Sequence, residues 1–407
     1  MAFDFLEPVS AVVLDFVKKL NMQSLGKKVV FHTKEDFPDL NTAKIALIGV
    51  LDNRGNSNAL TVDLDFIRKE FYALFPGNWE SSIIDLGDIP EGNTQEDTYY
   101  AVAKIVSELI KKQILPIIIG GSQDLTYGMY RGYDQLDQMV NLVAIDSKFD
   151  FGKEEVLNTS ESYLSKIIIN EPTNLFNYSN VGFQTYFNSQ EEIDLIEKLY
   201  FDCFRLGEVS ASPAIAEPVF RDCDLVSLDL TAVKSSDSGN FNIFTPNGFN
   251  GKEICALSRY AGLSDKVTSF GIFNQHNSKN ESVLARYAGI SDKVTSFGLF
   301  NFNATYTESV LVAQVIWYFI EGYNYRSLET PNQNTFLKYI VPIDDLELVF
   351  FKSPKTERWW IEIPFFTNIN NKIKRSTLLP CTYEDYVGAT NQEIPERWWK
   401  AQRKNLI

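Results

Sequence analysis

The residues best placed to do chemistry in this chain follow three short apolar runs: IIIGGSQDLTYG at 117–128, NLVAIDSKFDFG at 141–152 and LVSLDLTAV at 225–233. They supply three aspartates, Asp146, Asp150 and Asp229, with Gln123, Lys148 and Thr231 beside them. Carboxylates crowded at one sheet edge either share a cation or raise one another's pKa. The chain has only two histidines, His32 and His276, both outside these segments, so any function that needs a histidine cluster is disfavoured. Ser122 and Ser147 have no histidine near them in sequence, which leaves a Ser-His-Asp arrangement little support. Gly120-Gly121 is a tight strand-to-helix turn. It lacks both the further glycines of a dinucleotide fingerprint and the Gly-Lys-Ser/Thr of a phosphate loop, so nucleotide binding is not expected.

The elements that must position these residues alternate between strand and helix. Lys44 to Val50 reads as a strand and Leu64 to Phe75 as a helix, then Ser82 to Leu86 and Thr94 to Gln113, then Leu115 to Ile119 and a helix opening near Asp124. Asn141 to Ile145, Val181 to Gln184 and Asp224 to Asp229 add short Val/Ile/Leu-rich strands of the kind buried on both faces, and Thr307 to Gly322 a long closing helix. The alternation predicts a mostly parallel, doubly wound α/β sheet, whose ligands gather beyond the carboxyl ends of the strands.

With 407 residues, 44% apolar and 14% aromatic, the chain can bury a large core. A net charge of −15 argues against nucleic acid or an anionic membrane as partner, since both need clustered cations. MAFDFLEPVSAVVLDFVKKL reads as an amphipathic helix rather than a leader peptide, and Ser309 to Ile320 is too short to span a bilayer, so a cytoplasmic location is expected. Cys203, Cys223, Cys255 and Cys381 are widely spaced and read as free thiols.

Residues 258–284 and 285–311 form a tandem 27-residue duplication sharing RYAG, SDKVTSFG, FN and ESVL. Each copy carries a strand, Val267 to Phe273 or Val294 to Phe300; one is expected to take the sheet position and the other to be an extra module. Beyond Tyr325, Leu346 to Phe351, the turn SPKTE and Arg358 to Phe365 read as a hairpin, followed by an irregular tail ending in Trp398 and Trp399. The expected organisation is an N-terminal helical segment (1–40), an α/β domain (41–324) and an aromatic-rich C-terminal extension (325–407). Trp359, Trp360, Trp398 and Trp399 are read as core or docking anchors.

In order and spacing the three opening segments resemble the metal-binding segments of the ureohydrolase (arginase, agmatinase, formimidoylglutamase) family: Gly-Gly-X-His, Asp-X-His-X-Asp and Ser-Phe-Asp-X-Asp. Formimidoylglutamases are the nearest in layout. The resemblance implies a three-layer α/β/α fold, a two-manganese centre whose hydroxide attacks a guanidino or formimino carbon, and a symmetric homo-oligomer. It also marks departures. Gln123 stands at the first histidine, Lys148 at the second, and Thr231 at the last aspartate, while Asp146, Asp150 and Asp229 keep their places. Imidazole and hard oxygen ligands are what manganese requires, and an ammonium repels it. Lys148 is therefore expected to replace the metal as counter-ion, pairing with Asp146, Asp150 or Asp229.

At the strand end where arginase-type members hold their substrate's cation with an acid, the two copies read Asn274 and Asn301, with Glu281 and Glu308 further on at helix starts. Ser122, Asp124, Asn274 and Asn301 are the expected pocket residues. The reading is a pseudoenzyme without cofactor that binds a protein partner or small ligand; the alternative is a manganese-dependent hydrolase recruiting ligands such as Asp124.

Overall fold

The computed structural model of the chain describes residues 2–56, 63–136, 138–152, 158–240, 244–275, 307–329, 331–332, 334–363 and 378–404. Its centre is a nine-stranded sheet whose named pairings are all parallel: β1 (Val30–Phe31), β2 (Ile45–Val50), β3 (Ile83–Ile89), β4 (Leu115–Ile119), β5 (Val140–Ile145), β6 (Leu175–Phe183), β7 (Asp202–Arg205), β8 (Leu225–Asp229) and β9 (Ser269–Phe273). Their spatial order is β1-β3-β2-β4-β9-β8-β5-β6-β7. Alternate residues of one strand enter different cores, as the pleat requires. Ile45, Ile117 and Val143 face one apolar cluster, and Ala46, Ile118 and Leu142 face the other.

Helices cover both faces. On one side lie α1 (Ala11–Lys19), α2 (Asp65–Ala73), α7 (Leu206–Ala211), α8 (Glu217–Arg221), α10 (Gly251–Leu263) and α11 (Thr307–Asn324); on the other are α3 (Gln95–Lys111), α4 (Leu125–Arg131), α5 (Tyr163–Ile169) and α6 (Gln190–Lys198). The single turn α9 (Ser235–Ser238) lies just before α10 in sequence. The result is the three-layer α/β/α architecture. Helix starts follow the capping rules: Thr94 accepts from the Asp97 N–H and Asp97 returns the bond to the Thr94 N–H at α3, and Asn250 and Glu253 do the same at α10. Helices α10 and α11 meet backbone to backbone, because a Cβ on Gly262 would lie 2.0 Å from the Phe319 carbonyl oxygen.

The expected parallel strands are present, with corrections at the margins. Strand β6 begins well before Val181, its polar start hidden in buried hydrogen bonds from Asn177 to Asp202 (3.0 Å) and Ser179 (3.2 Å). Residues 1–40 are not wholly helical, since Val30–Phe31 pairs with β3. In the duplication, the first copy holds the sheet position: β9 lies between β4 and β8, and α11 carries the ESVL of the second copy. The expected strand at 294–300 falls outside the described residues. Excising 281–307 joins Asn280 to Glu308 and recreates the sequence that precedes the first ESVL. Because loop length changes stability only by a few tenths of a kcal/mol to about 1 kcal/mol, this variant is expected to melt within a few degrees of the parent in thermal unfolding. Failure to fold would show that the second copy carries core contacts.

The C-terminal part is a second, antiparallel sheet, β10 (Leu337–Ile343), β11 (Leu346–Lys352), β12 (Trp359–Glu362) and β13 (Leu378–Cys381), in that order. Strands β11 and β12 match the expected hairpin. The tail, however, is helical: α12 (Tyr383–Thr390) opens with a Thr382/Asp385 capping box, and α13 (Glu396–Lys404) buries Trp398 while Trp399 stays 40% exposed. Arg221 of α8 joins the two sheets. Its guanidinium donates to the carbonyls of Trp359 and Cys381, both at 3.1 Å, and lies 4.6 Å from the centre of the Trp360 ring. No helix among the described residues is long and apolar enough to cross a membrane.

Candidate functional site

The three segments converge at the carboxyl ends of the adjacent strands β4, β9, β8 and β5. After β4 the chain turns through Gly120 and Gly121, both at positive φ, where a Cβ would meet Val50 and Asp52 carbonyl oxygens at 2.9 and 2.6 Å. This turn delivers Gln123, fully buried, into the space between the strand ends. Asp150 and Asn274 also take left-handed backbone, φ 59° and 57°, which aspartate and asparagine tolerate better than other residues with side chains.

The structure brings Asp146, Asp150 and Asp229 together, all buried. Gln123 Nε2 donates to Asp146 Oδ2 at 2.8 Å, and the Lys148 backbone N–H donates to Asp146 Oδ1 at 2.9 Å. Asp229 accepts from the Thr231 N–H (2.7 Å) and from Asn274 Nδ2 (2.9 Å). Asp150 lies beside Asp146, close enough for the two carboxyl groups to affect one another. Burial, reinforced by the Asp146 charge, holds Asp150 well above the usual carboxylate range; burial and then Asp146 push Asp229 up to about 7.

The expected pairing of Lys148 with the aspartates is not what the structure holds. Its ammonium lies 2.5 Å from Glu161 at the rim, 40% exposed, and makes no ion pair with Asp146, Asp150 or Asp229. The charge reaches Asp150 and Asp146 only through space. Burying the ammonium among them would cost its hydration, and the donors of Gln123, Asn274 and the backbone already serve Asp146 and Asp229.

A cavity of about 430 Å³ opens on this floor, its walls including Asn56, Lys148, Asp150, Asp229, Thr231 and Asn274, with Phe187 and Phe244 toward solvent. Of the expected pocket residues, Asn274 lines it. Ser122 and Asp124 are placed behind it: Ser122 Oγ accepts from the Gly55 N–H, and Asp124 Oδ2 accepts from the Tyr99 hydroxyl at 2.6 Å. Asp124 is thus engaged through Oδ2 on the α3 side, while its Oδ1 has no hydrogen-bond partner among the described residues. Asn301, Glu281 and His276 lie outside the described residues, and His32 is remote, its Nδ1 bonded to the Leu86 carbonyl. Sequence reading missed Glu161, Ser160 and Asn56, which sit in loops with no periodic signal.

A two-manganese centre does not fit these residues. Among the described residues no group of three His, Cys, Asp or Glu side chains is arranged to hold a metal ion. Asp146 and Asp229 accept from N–H donors, Asp150 Oδ2 has no hydrogen-bond partner among the described residues, and at positions 123 and 148 neither an amide N–H nor an ammonium can donate a lone pair to a cation.

Because Asp150 and Asp229 are raised, the native state keeps protons that the unfolded chain, with an aspartate pKa of 3.8, releases. Their contribution is full below about pH 4; that of Asp229 is lost as pH rises through about 7, and that of Asp150 as pH rises through its own raised folded value. Asp150→Asn keeps a neutral donor at every pH. It is expected to stabilise the fold at pH 8 by about 1–3 kcal/mol and to do little at pH 4. Urea unfolding at the two pH values checks this, and an equal change at both would show that Asp150 does not titrate as described.

Residues 57–257 match the model of the arginase family. The formimidoylglutamase of Geobacillus sp. (strain WCH70) is 25% identical over 239 residues, covering 55% of this chain and 72% of that protein. That of Hahella chejuensis (strain KCTC 2396) is 27% identical over 224 residues, 50% and 67% of the two chains. Among solved structures, formimidoylglutamase from Bacillus subtilis superposes with a TM-score of 0.61 at 16% identity, over 75% of this chain and 93% of that one. Formiminoglutamase from Trypanosoma cruzi with Mn2+ gives 0.58 at 17%, over 72% and 97%. The agmatine ureohydrolase of Thermoplasma volcanium gives 0.55 at 16%, over 76% and 97%. At these identities the structural likeness shows the fold alone.

Proposed function

This chain belongs to the arginase family, on its formimidoylglutamase-like side, and from that premise we propose that it is a non-catalytic member acting by binding. The cavity beside Asp229 and Asn274 is the place for a small ligand, and a protein partner or a homo-oligomeric assembly is the other outlet. The acidic balance of the chain supports leaving nucleic acid and anionic membranes out, and the cytoplasm remains its expected compartment.

The observation that carries the reading is the pair of amide contacts on the buried carboxylates, Gln123 Nε2 to Asp146 and Asn274 Nδ2 to Asp229. Hydrolysis of a C=N carbon by this fold needs an activated hydroxide. Gln123 and Lys148 supply no imidazole at the strand ends, and amide donors occupy oxygens of Asp146 and Asp229, which supports the absence of such a hydroxide. Purification after expression in manganese-supplemented medium is expected to give far less than one manganese per chain by elemental analysis, and no turnover of formiminoglutamate. Stoichiometric metal together with hydrolysis of formiminoglutamate would overturn the proposal in favour of an active manganese hydrolase.

A further inference from the structure

We propose that Asn274, assisted by Gln123, forms a metal-free clasp that performs the cross-linking a pair of cations would perform between the strand ends. This rests on the non-catalytic reading above and adds to it that the site has been rebuilt, not merely emptied.

The geometry centres on one side chain. Asn274 Oδ1 accepts from the Gln123 N–H at 3.2 Å and from Ser160 Oγ at 3.1 Å, while Asn274 Nδ2 donates to Asp229 Oδ2 at 2.9 Å. The Asn274 N–H donates to the Gly121 carbonyl at 2.9 Å. One buried residue thus ties the end of β9 to the turn after β4, the end of β8 and the loop at Ser160. Gln123 extends the tie to β5 through Asp146, and its own N–H also reaches Ser160 Oγ at 3.2 Å. Ser160 in turn donates its backbone N–H to the Gly55 carbonyl at 2.9 Å, which brings in the loop after β2.

The chemistry explains why an amide occupies position 274. The partners are of mixed kind: a carboxylate on one side of Asn274, an N–H and a hydroxyl on the other. A primary amide donates and accepts at once, whereas a carboxylate only accepts and an ammonium only donates. An aspartate at 274 would face Asp229 with a second carboxylate and offer it no donor; a lysine would take away the oxygen that accepts from Ser160 Oγ and shares the Gln123 N–H. The left-handed backbone at 274 narrows the choice further, since asparagine is among the few residues that adopt it readily. The buried, fully used amide is thus fitted both to its backbone and to its partners.

The test is hydrogen exchange of the full chain read by mass spectrometry in peptides covering 120–126, 158–163 and 229–233, with 146–150 and the peptide containing 274 read alongside, for the parent, Asn274→Gly and Gln123→Met. Glycine keeps the backbone conformation and removes the amide; methionine keeps the length of Gln123 and removes its donors. Asn274→Gly is expected to speed exchange in all three peptides together by roughly tenfold, the factor for losing one or two net hydrogen bonds. Gln123→Met is expected to loosen 120–126 together with 146–150. If Asn274→Gly does not fold, Ser160→Ala, which removes one of the hydrogen bonds to the Asn274 side chain, is expected to give the same three-peptide pattern to a smaller degree. Unchanged exchange, or change confined to the peptide containing the substitution, overturns the clasp and leaves the non-catalytic reading standing. Protection of these peptides in the parent on adding manganese chloride overturns both.

Discussion

The variant carrying Gln123→His, Lys148→His and Thr231→Asp together is expected to bind manganese where the parent chain does not. Each change removes one obstacle. Histidine at 123 withdraws the amide donor from Asp146 and presents a ring nitrogen; histidine at 148 removes an ammonium held by Glu161 at the rim; aspartate at 231 adds a carboxylate two residues from Asp229. A site that binds only the folded state stabilises it by about 2.7 kcal/mol when the free metal is at a hundred times its dissociation constant. That corresponds to a rise of several degrees in the melting temperature on adding manganese chloride, reversed by a chelator, with elemental analysis giving the stoichiometry. Before metal is added the variant should be less stable than the parent, because it has gained a buried carboxylate and lost a donor. If manganese moves neither its melt nor its metal content, the three segments do not align with the family's motifs as read.

The second large effect is expected from the smallest change in the site. Gln123→Glu replaces an N–H donor 2.8 Å from Asp146 with a carboxylate oxygen. A buried charge without a partner costs about 3–5 kcal/mol, and here three aspartates already share the space. The loss should appear in full near pH 8 and shrink toward pH 5. The new glutamate, like Asp150, would have a raised folded pKa, so the stability it retains is lost as pH rises. Denaturant midpoints at the two pH values measure this. A loss independent of pH would mean that residue 123 does not face Asp146.

The parallel sheet was legible because its strands are the apolar runs that burial on both faces demands. ALIGV after Ile45, LPIII and NLVAI left little alternative. Strand β7 was not legible, since DCFR carries a charge at each end and sits at the sheet margin, where polar side chains find solvent or an ion pair. The helix of ERWWKAQRK was hidden by its charges, although Trp398 is one of the better buried side chains there. In the site, the aspartates and their substituted neighbours could be named from spacing, and Asn274 from its position at a strand end. The direction of Lys148 could not. It depends on Glu161, thirteen residues on in a loop, and on two amides whose partners come from distant strands. Motif spacing predicts which residues meet. How their donors and acceptors divide the available partners is decided by tertiary contacts that no local pattern records.

A nine-stranded open sheet has two margins where backbone N–H and C=O groups invite another strand, and such edges seed aggregation. At one margin, β1 is only two residues long. At the other, α13 lies over the chain around β7. Lys400 donates to the Phe201 carbonyl at 3.0 Å, Arg397 stands 3.7 Å from Asp202, Lys404 donates to Asn177, and Trp399 packs edge-on against Tyr200. The last helix is thus a guard on an exposed template. By covering the chain beside that edge, the helix leaves the margin less open to a strand from a neighbouring molecule, which gives the C-terminal segment a part in keeping the protein dispersed.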